Sequence, residues 1–233
     1  MTSPVLATRC SLVVADDRSC VVIDAGALVA QTVLAMVDER GLRPQAVLAT
    51  HGHADHTWDA GPLAAQLGVA VVVHAADLYR LHDPLGTLGE LGEPAGSTGR
   101  PAGPLATELR RLGADPTVYT PPVDVRLVGA DGASEEWLEL GGIRLLARHA
   151  PGHTEGSTVY LLDPEGERPV AFTGDVLFAG TVGRTDLPGG DLAEMTRTLR
   201  TVIATLPPST VVLPGHGPAT DIATELARNP YLR

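Results

Sequence analysis

The stretch Thr50-His51-Gly52-His53-Ala54-Asp55-His56 decides how the rest of the chain is read. It follows a short apolar strand pattern, Ala46 to Thr50, and sets four ligand-type side chains within six residues, more than a core could satisfy. On extended backbone alternate residues share a side, so His51, His53 and Asp55 face one way, while a turn at Asp55-His56 lets the last two diverge toward a second point. Imidazole nitrogens and carboxylate oxygens reach zinc at roughly 2.0 to 2.2 Å, so one loop is able to feed two neighbouring ions. The plain alternative is a solvated histidine-rich turn. It is set aside because three later segments complete the set.

Those segments are Pro151-Gly152-His153-Thr154-Glu155-Gly156-Ser157, Thr173-Gly174-Asp175 and Pro214-Gly215-His216-Gly217. Each places one potential ligand just beyond an apolar strand pattern, with glycine alongside to allow close backbone approach. Taken singly each is weak, since a lone Gly-His after a strand is ordinarily a turn with a surface histidine. With the first cluster they supply seven ligands, enough for two metal ions that share one carboxylate.

Outward from these motifs the hydrophobic pattern is regular. Ser11 to Ala15 and Cys20 to Ile23 flank the polar turn Asp16 to Ser19 and read as a hairpin. Val29, Val33, Met36 and Val37 recur at helical spacing from Leu28 to Arg40, with Gly41 as a stop, and a second helix covers Asp59 to Leu67 before Gly68. Val69 to Val73 is an almost wholly apolar strand, which implies burial on both faces. Gly141-Gly142 joins strands at Glu136 to Leu140 and Ile143 to His149. Further strands are expected at Thr158 to Leu162, Val170 to Thr173 and Thr210 to Leu213. Asp191 caps a helix reaching Leu206, and Thr220 or Asp221 caps a terminal helix ending at Arg228. Strand pairs with intervening helices in both halves predict an α/β chain built as a four-layer αββα sandwich, two mixed sheets covered outside by helices. No boundary divides residues 1–233, so one domain is expected. Its Gly/Pro-rich excursion at about 82–122, interrupted by an amphipathic stretch at Pro104 to Leu112, is either a binding loop or lid or an ordered excursion.

Composition narrows the function. The 233 residues are 44% hydrophobic and 19% charged, ordinary globular chemistry, and the net charge of −11 argues against nucleic acid as a partner. Two Phe, four Tyr and two Trp leave little for base stacking. All basic residues are Arg, so a lysine Schiff base or amine nucleophile is excluded. Cys10 and Cys20 form no CxxC pair and read as buried free thiols in a reducing cytoplasm. The N-terminus lacks a secretory pattern, and no apolar run reaches membrane-spanning length, so no membrane partner is expected.

As a set, VIDAG at Val22 to Gly26, HGHADH at His51 to His56, PGHTEGS at Pro151 to Ser157, FTGD at Phe172 to Asp175 and PGHG at Pro214 to Gly217 resemble the metallo-β-lactamase-fold superfamily, and within it the short bacterial glyoxalase II-like hydrolases. The resemblance implies that His51, His53 and His153 hold one metal, that Asp55, His56 and His216 hold the other, and that Asp175 bridges them. It places Asp24 behind the ligands, accepting a hydrogen bond from a ligand histidine and fixing its tautomer. Two divalent ions are implied, zinc first, with iron or manganese as options. The implied reaction is hydrolysis of a small-molecule thioester by a metal-bridging hydroxide that Asp55 orients. The sequence departs from the best-known β-lactamase subclass, which has cysteine where Asp175 stands, and with only about fifteen residues after Gly217 the C-terminal helical domain of full-length glyoxalase II is not expected here.

The segment Gly183-Arg184-Thr185-Asp186 is shared with persulfide dioxygenases of the same superfamily, which use a single iron, and this is the alternative reading. A lactonase, a nuclease and a non-catalytic metal-binding scaffold remain as further alternatives. Arg184 is either half of an ion pair with Asp186 or a contact to a substrate carboxylate. Arg228 and Tyr231 are candidates to reach the thiol carrier. His74, His82 and His149 are assigned no role.

Overall fold

In the computed structural model, which describes residues 1–91 and 103–233, the strands sort into two main sheets and a small ribbon. The first sheet has the order β1 (Ser11–Val14), β2 (Ser19–Ile23), β3 (Arg43–Leu48), β4 (Val71–His74), β5 (Val125–Val128). β1 and β2 pair antiparallel across the expected turn, whereas β2 to β5 run parallel. Parallel neighbours need crossovers. Those after β2 and β3 are α1 (Ala30–Arg40), and α2 (Ala54–Thr57) with α3 (Ala60–Leu67). The excursion contributes α4 (Pro104–Arg111) before β5, while its residues 92–102 lie outside the described ones.

The second sheet uses β6 (Glu135–Leu140), β7 (Ile143–His149), β8 (Thr158–Leu162) and β9 (Val170–Gly174). After the ribbon of β10 (Leu177–Phe178) and β11 (Thr181–Val182) come α5 (Leu192–Thr198), β12 (Val211–Pro214), β13 (Thr220–Asp221) and α6 (Ile222–Arg228). Its spatial order is β13-β12-β9-β8-β7-β6.

Side-chain alternation explains the layers. In β2, Val21 and Ile23 point into the space between the sheets while Val22 joins the outer cluster; Ala46 and Leu48 alternate with Val47 in the same way. The outer cluster of the first sheet packs Val22, Val47, Val71 and Val73 against Val33 of α1 and Leu63 of α3. Between the sheets, Ile23, Leu48 and Val72 meet Leu138, Leu145, Tyr160 and Phe172. Leu146, Val159, Leu161, Ala171 and Val212 form the second sheet's outer face, which is covered by Met195, Leu199, Ile203 and Ile222. These three apolar layers make the αββα sandwich the sequence predicts, each fully buried Val or Leu contributing about 1.5 to 3 kcal/mol. A fourth cluster is separate from these layers: Leu85, Leu88, Leu105, Ala106 and Leu109 of the excursion pack against Trp58 and Ala54.

The helix signals hold locally. Gly41 and Gly68 close α1 and α3 in the left-handed conformation, and the Asp191 and Asp221 carboxylates accept N–H bonds at the starts of α5 and α6. The helix expected to reach Leu206 stays α-helical only to Thr198. It then widens into a π turn over Leu199–Ile203, closed by Ala204 N–H donating to Leu199 O at 2.8 Å, which keeps Leu199, Ile203 and Leu206 on the sheet. β5 was not expected, because Pro121-Pro122 precede a run in which only Val128 is buried. Cys10 and Cys20 are buried free thiols. Among the described residues no helix is long and apolar enough to cross a membrane.

Candidate metal centre

Strand direction gathers the motifs. β9 runs parallel to β12, and β7 shares that direction because both β7 and β9 are antiparallel to β8. Chain leaving β7, β9 and β12 carries His153, Asp175 and His216, and chain leaving β2 and β3 carries Asp24 and the residue 50–56 loop. Carboxyl ends of parallel strands leave backbone and loops unpaired by the sheet, which is where open α/β sheets hold ligands.

Seven side chains from these loops meet. His53 Nδ1 lies 3.1 Å from His51 Nε2 and 2.9 Å from His153 Nε2. In a second group, Asp55 Oδ2 is 3.5 Å from His56 Nε2 and 3.3 Å from His216 Nε2. Asp175 stands between them, its Oδ2 3.6 Å from His153 Nε2 and 3.5 Å from His216 Nε2, its Oδ1 3.3 Å from His56 Nε2. His51-His53-His153, His51-His56-Asp175 and Asp55-His56-His216 are each close enough to hold a metal ion.

The opposite ring nitrogens are tied outward, which aims the inner ones. His153 Nδ1 donates to Arg184 O at 2.7 Å, and His216 Nδ1 to Leu6 O at 3.0 Å. His56 Nδ1 donates to Asp24 Oδ2 at 3.0 Å. Asp24 also accepts from the Thr50 backbone N–H at 2.7 Å and hydroxyl at 2.9 Å, and that hydroxyl in turn lies 3.2 Å from His51 Nδ1. One carboxylate therefore orients a histidine in each group, the second directly and the first through Thr50. Asp24 takes a left-handed φ of 60°, which Asp tolerates better than most residues. Glycine is required opposite: a Cβ on Gly215 would overlap the Asp175 carboxylate and come within 2.6 Å of the His56 ring.

The donors suit a divalent cation. Nitrogen lone pairs of His51, His53 and His153 converge at hydrogen-bond distance with no proton placed to join them all, and Asp175 Oδ1 is buried without a hydrogen-bond partner. Positive charge is what such a cluster lacks. The side-chain equilibria separate the two groups. Burial, then His153, drives His53 down to about 3, and burial with His56 lowers His51 as well, so these two present neutral imidazoles. Burial also opposes charge on His56 and His216. There the carboxylates win: Asp55 and Asp175 lift His56 well above its ordinary value, and hydrogen bonds to Asp175 and Asp55 lift His216 to about 10. Against their own burial, Asp55 is held down at about 2 and Asp175 well below the carboxylate range, both chiefly by His56.

Two supports were not visible in the sequence. Thr8, fully buried, donates to Asp55 Oδ2 at 3.1 Å. Asp77, also fully buried, accepts from Gly52 N–H, Gly156 N–H and the Thr154 hydroxyl, each at 2.8 Å, and from Arg80 Nε at 3.3 Å. Arg80 reaches on to Glu155 and to Pro188 O. Asp77 thus staples the histidine loop to the loop of His153.

A cavity of about 550 Å³ opens onto both groups, lined in part by His53, Asp55, His153, Asp175, His216 and Arg184. Arg184 is paired with Asp186, Nε to Oδ1 at 2.6 Å and Nη2 to Oδ2 at 2.8 Å. Arg228 and Tyr231 do not line this cavity: α6 docks through Ile222 on the second sheet, and its end is tied by Asn229 to Thr181 O. His74 and His149 stack on one another, ring centroids 3.9 Å apart.

The chain belongs to the metallo-beta-lactamase superfamily, whose family model matches residues 4–216. It is similar to the hydroxyacylglutathione hydrolase GloC of Haemophilus influenzae, 32% identical over 225 residues that cover 96% of this chain and 92% of that one. Among solved structures it is similar to the BLEG-1 B3 metallo-beta-lactamase, with a TM-score of 0.76, 30% identity, and 99% and 96% of the two chains covered. It is also similar to TTHA1623 in a di-iron-bound form, with a TM-score of 0.75, 32% identity, and 100% and 98% covered.

Proposed function

We propose that this chain is a dinuclear metallohydrolase that cleaves a thioester. The observation that carries the proposal is the position of Asp175 between two complete donor groups, within 3.6 Å of a histidine of each. His51, His53 and His153 would hold one cation, Asp55, His56 and His216 the other, and Asp175 both. When bound, paired divalent cations polarise a carbonyl and make water a competent nucleophile near neutral pH. The remaining roles fall to the protein. Asp55, ionised and steadied by Thr8, orients the attacking water and accepts its proton. The water oxygen bonds the acyl carbon, the C–S bond breaks, and the proton passes to the departing thiolate. Protein nucleophiles are not needed: Cys10 and Cys20 are buried, and burial pushes the Cys10 thiol up to about 12.

The similarity to a protein named hydroxyacylglutathione hydrolase supports the thioester reading. A dioxygenase running on one iron would leave the Asp55, His56 and His216 group idle, so the reading that employs both groups is preferred. Zinc is the proposed ion, with iron close behind given the di-iron neighbour. Metal analysis of the purified protein, joined to a panel of small thioesters and lactones, tests the proposal. Two divalent ions per chain and thiol release are expected. A chain that binds two ions yet leaves every thioester intact overturns it, and one iron with oxygen uptake on a persulfide establishes the oxidoreductase instead.

A further inference from the structure

The cavity above the donor groups has one polar side and one apolar side. Away from the histidines it is lined by Leu6, Leu88, Leu91, Leu105, Phe178 and Leu187. Leu88 and Leu105 are themselves almost fully buried and belong to the cluster with Trp58 and Leu109, so this wall is backed by packed side chains. Its one arginine among the described lining residues, Arg184, has its guanidinium engaged by Asp186. The molecule as a whole carries 17 basic against 28 acidic side chains, a net charge of −11 that disfavours the approach of anions.

Resting on the thioester reading above, we infer that the preferred substrate carries an apolar acyl chain on a thiol carrier without net negative charge. A hydroxyl or carboxylate laid on the leucine wall would lose its water and gain no hydrogen bond. Each methylene buried there instead gains roughly fourfold in affinity. With Arg184 engaged by Asp186, a carrier such as glutathione, with two carboxylates against one amine, finds no other arginine among the described residues lining the mouth. Polar short-chain hydroxyacyl groups on glutathione are then poor substrates relative to aliphatic acyl groups on a neutral thiol.

The test uses the metal-loaded protein and two series, acetyl to octanoyl thioesters of N-acetylcysteamine and of glutathione. Calorimetry with the corresponding non-hydrolysable thioethers runs alongside. From acetyl to hexanoyl, kcat/KM and thioether affinity are both expected to rise roughly fourfold per methylene, with the neutral carrier ahead throughout. Leu187→Asn, at a half-buried position, should flatten the rise, and Asp186→Asn should narrow the gap between carriers by releasing Arg184. Affinity that is flat or falls with chain length, or a preference for the glutathione series, overturns the inference. If no thioester turns over, that failure belongs to the hydrolase reading, and the slope of thioether affinity still decides this one.

Discussion

Replacing Asp77 by Asn is the sharpest probe of how the site is held. The carboxylate accepts four hydrogen bonds, Gly156 N–H and Arg80 Nε on Oδ1, Gly52 N–H and the Thr154 hydroxyl on Oδ2, with no solvent exposure. An amide of the same shape turns one of those oxygens into an NH2 facing donors, and it leaves the fully buried Arg80 with Glu155 as its one charged partner among the described residues. Breaking a buried charge pair in this way costs about 3 to 5 kcal/mol. For a chain of this size, that corresponds to a drop in Tm of about 6 to 20 °C. Gly52 lies between His51 and His53, and Thr154 follows His153, so the same change should loosen the first donor group and weaken zinc binding there by roughly 10- to 100-fold. Differential scanning calorimetry with a competitive zinc titration measures both. A variant that melts within about 2 °C of the parent and binds zinc equally well would refute the idea that Asp77 joins the two loops.

Other outcomes follow from the same geometry. His53→Ala should abolish both metal retention and turnover, whereas His82→Ala, outside the donor groups, should leave both nearly unchanged; elemental analysis with a thioester assay separates them. Asp24→Asn keeps a residue type that accepts the left-handed backbone but loses the charge that orients His56 and, through Thr50, His51, so affinity at both groups should fall by roughly 10- to 100-fold in isothermal titration. Burial, then the stacked His149, lowers His74 to about 4; its contribution to stability is therefore complete above pH 6.5 and lost as the pH falls toward 4. Urea unfolding across that range should show a shallower acid slope for His74→Gln than for the parent, and identical slopes would rule the titration out.

The central strands β2, β4 and β8 were legible because they are buried on both faces with their side chains dealt alternately to two apolar layers, as Val21, Val22 and Ile23 show. Helix ends were legible at Gly41, Gly68, Asp191 and Asp221, where a single residue supplies the cap. β5 escaped notice because its pairing with β4 is a long-range event that four residues after a Pro-Pro step do not announce. The seven donors stood out since histidine clusters beside glycine have few other uses, and the structure gathers all seven. Asp77 did not, because its partners Gly52, Thr154, Gly156 and Arg80 come from three separate segments and no local pattern marks the acceptor among ordinary surface acids.

The separateness of the excursion's leucine cluster bears on how such an enzyme diversifies. Residues such as Leu88 and Leu105 belong to none of the three layers that fix the ligand-bearing strands. Conservative exchanges there that keep the packing on Ala54 and Trp58 would reshape the mouth without touching the layers that set strand register, so descendants of one ancestral fold would be free to trade diets without rebuilding the hearth.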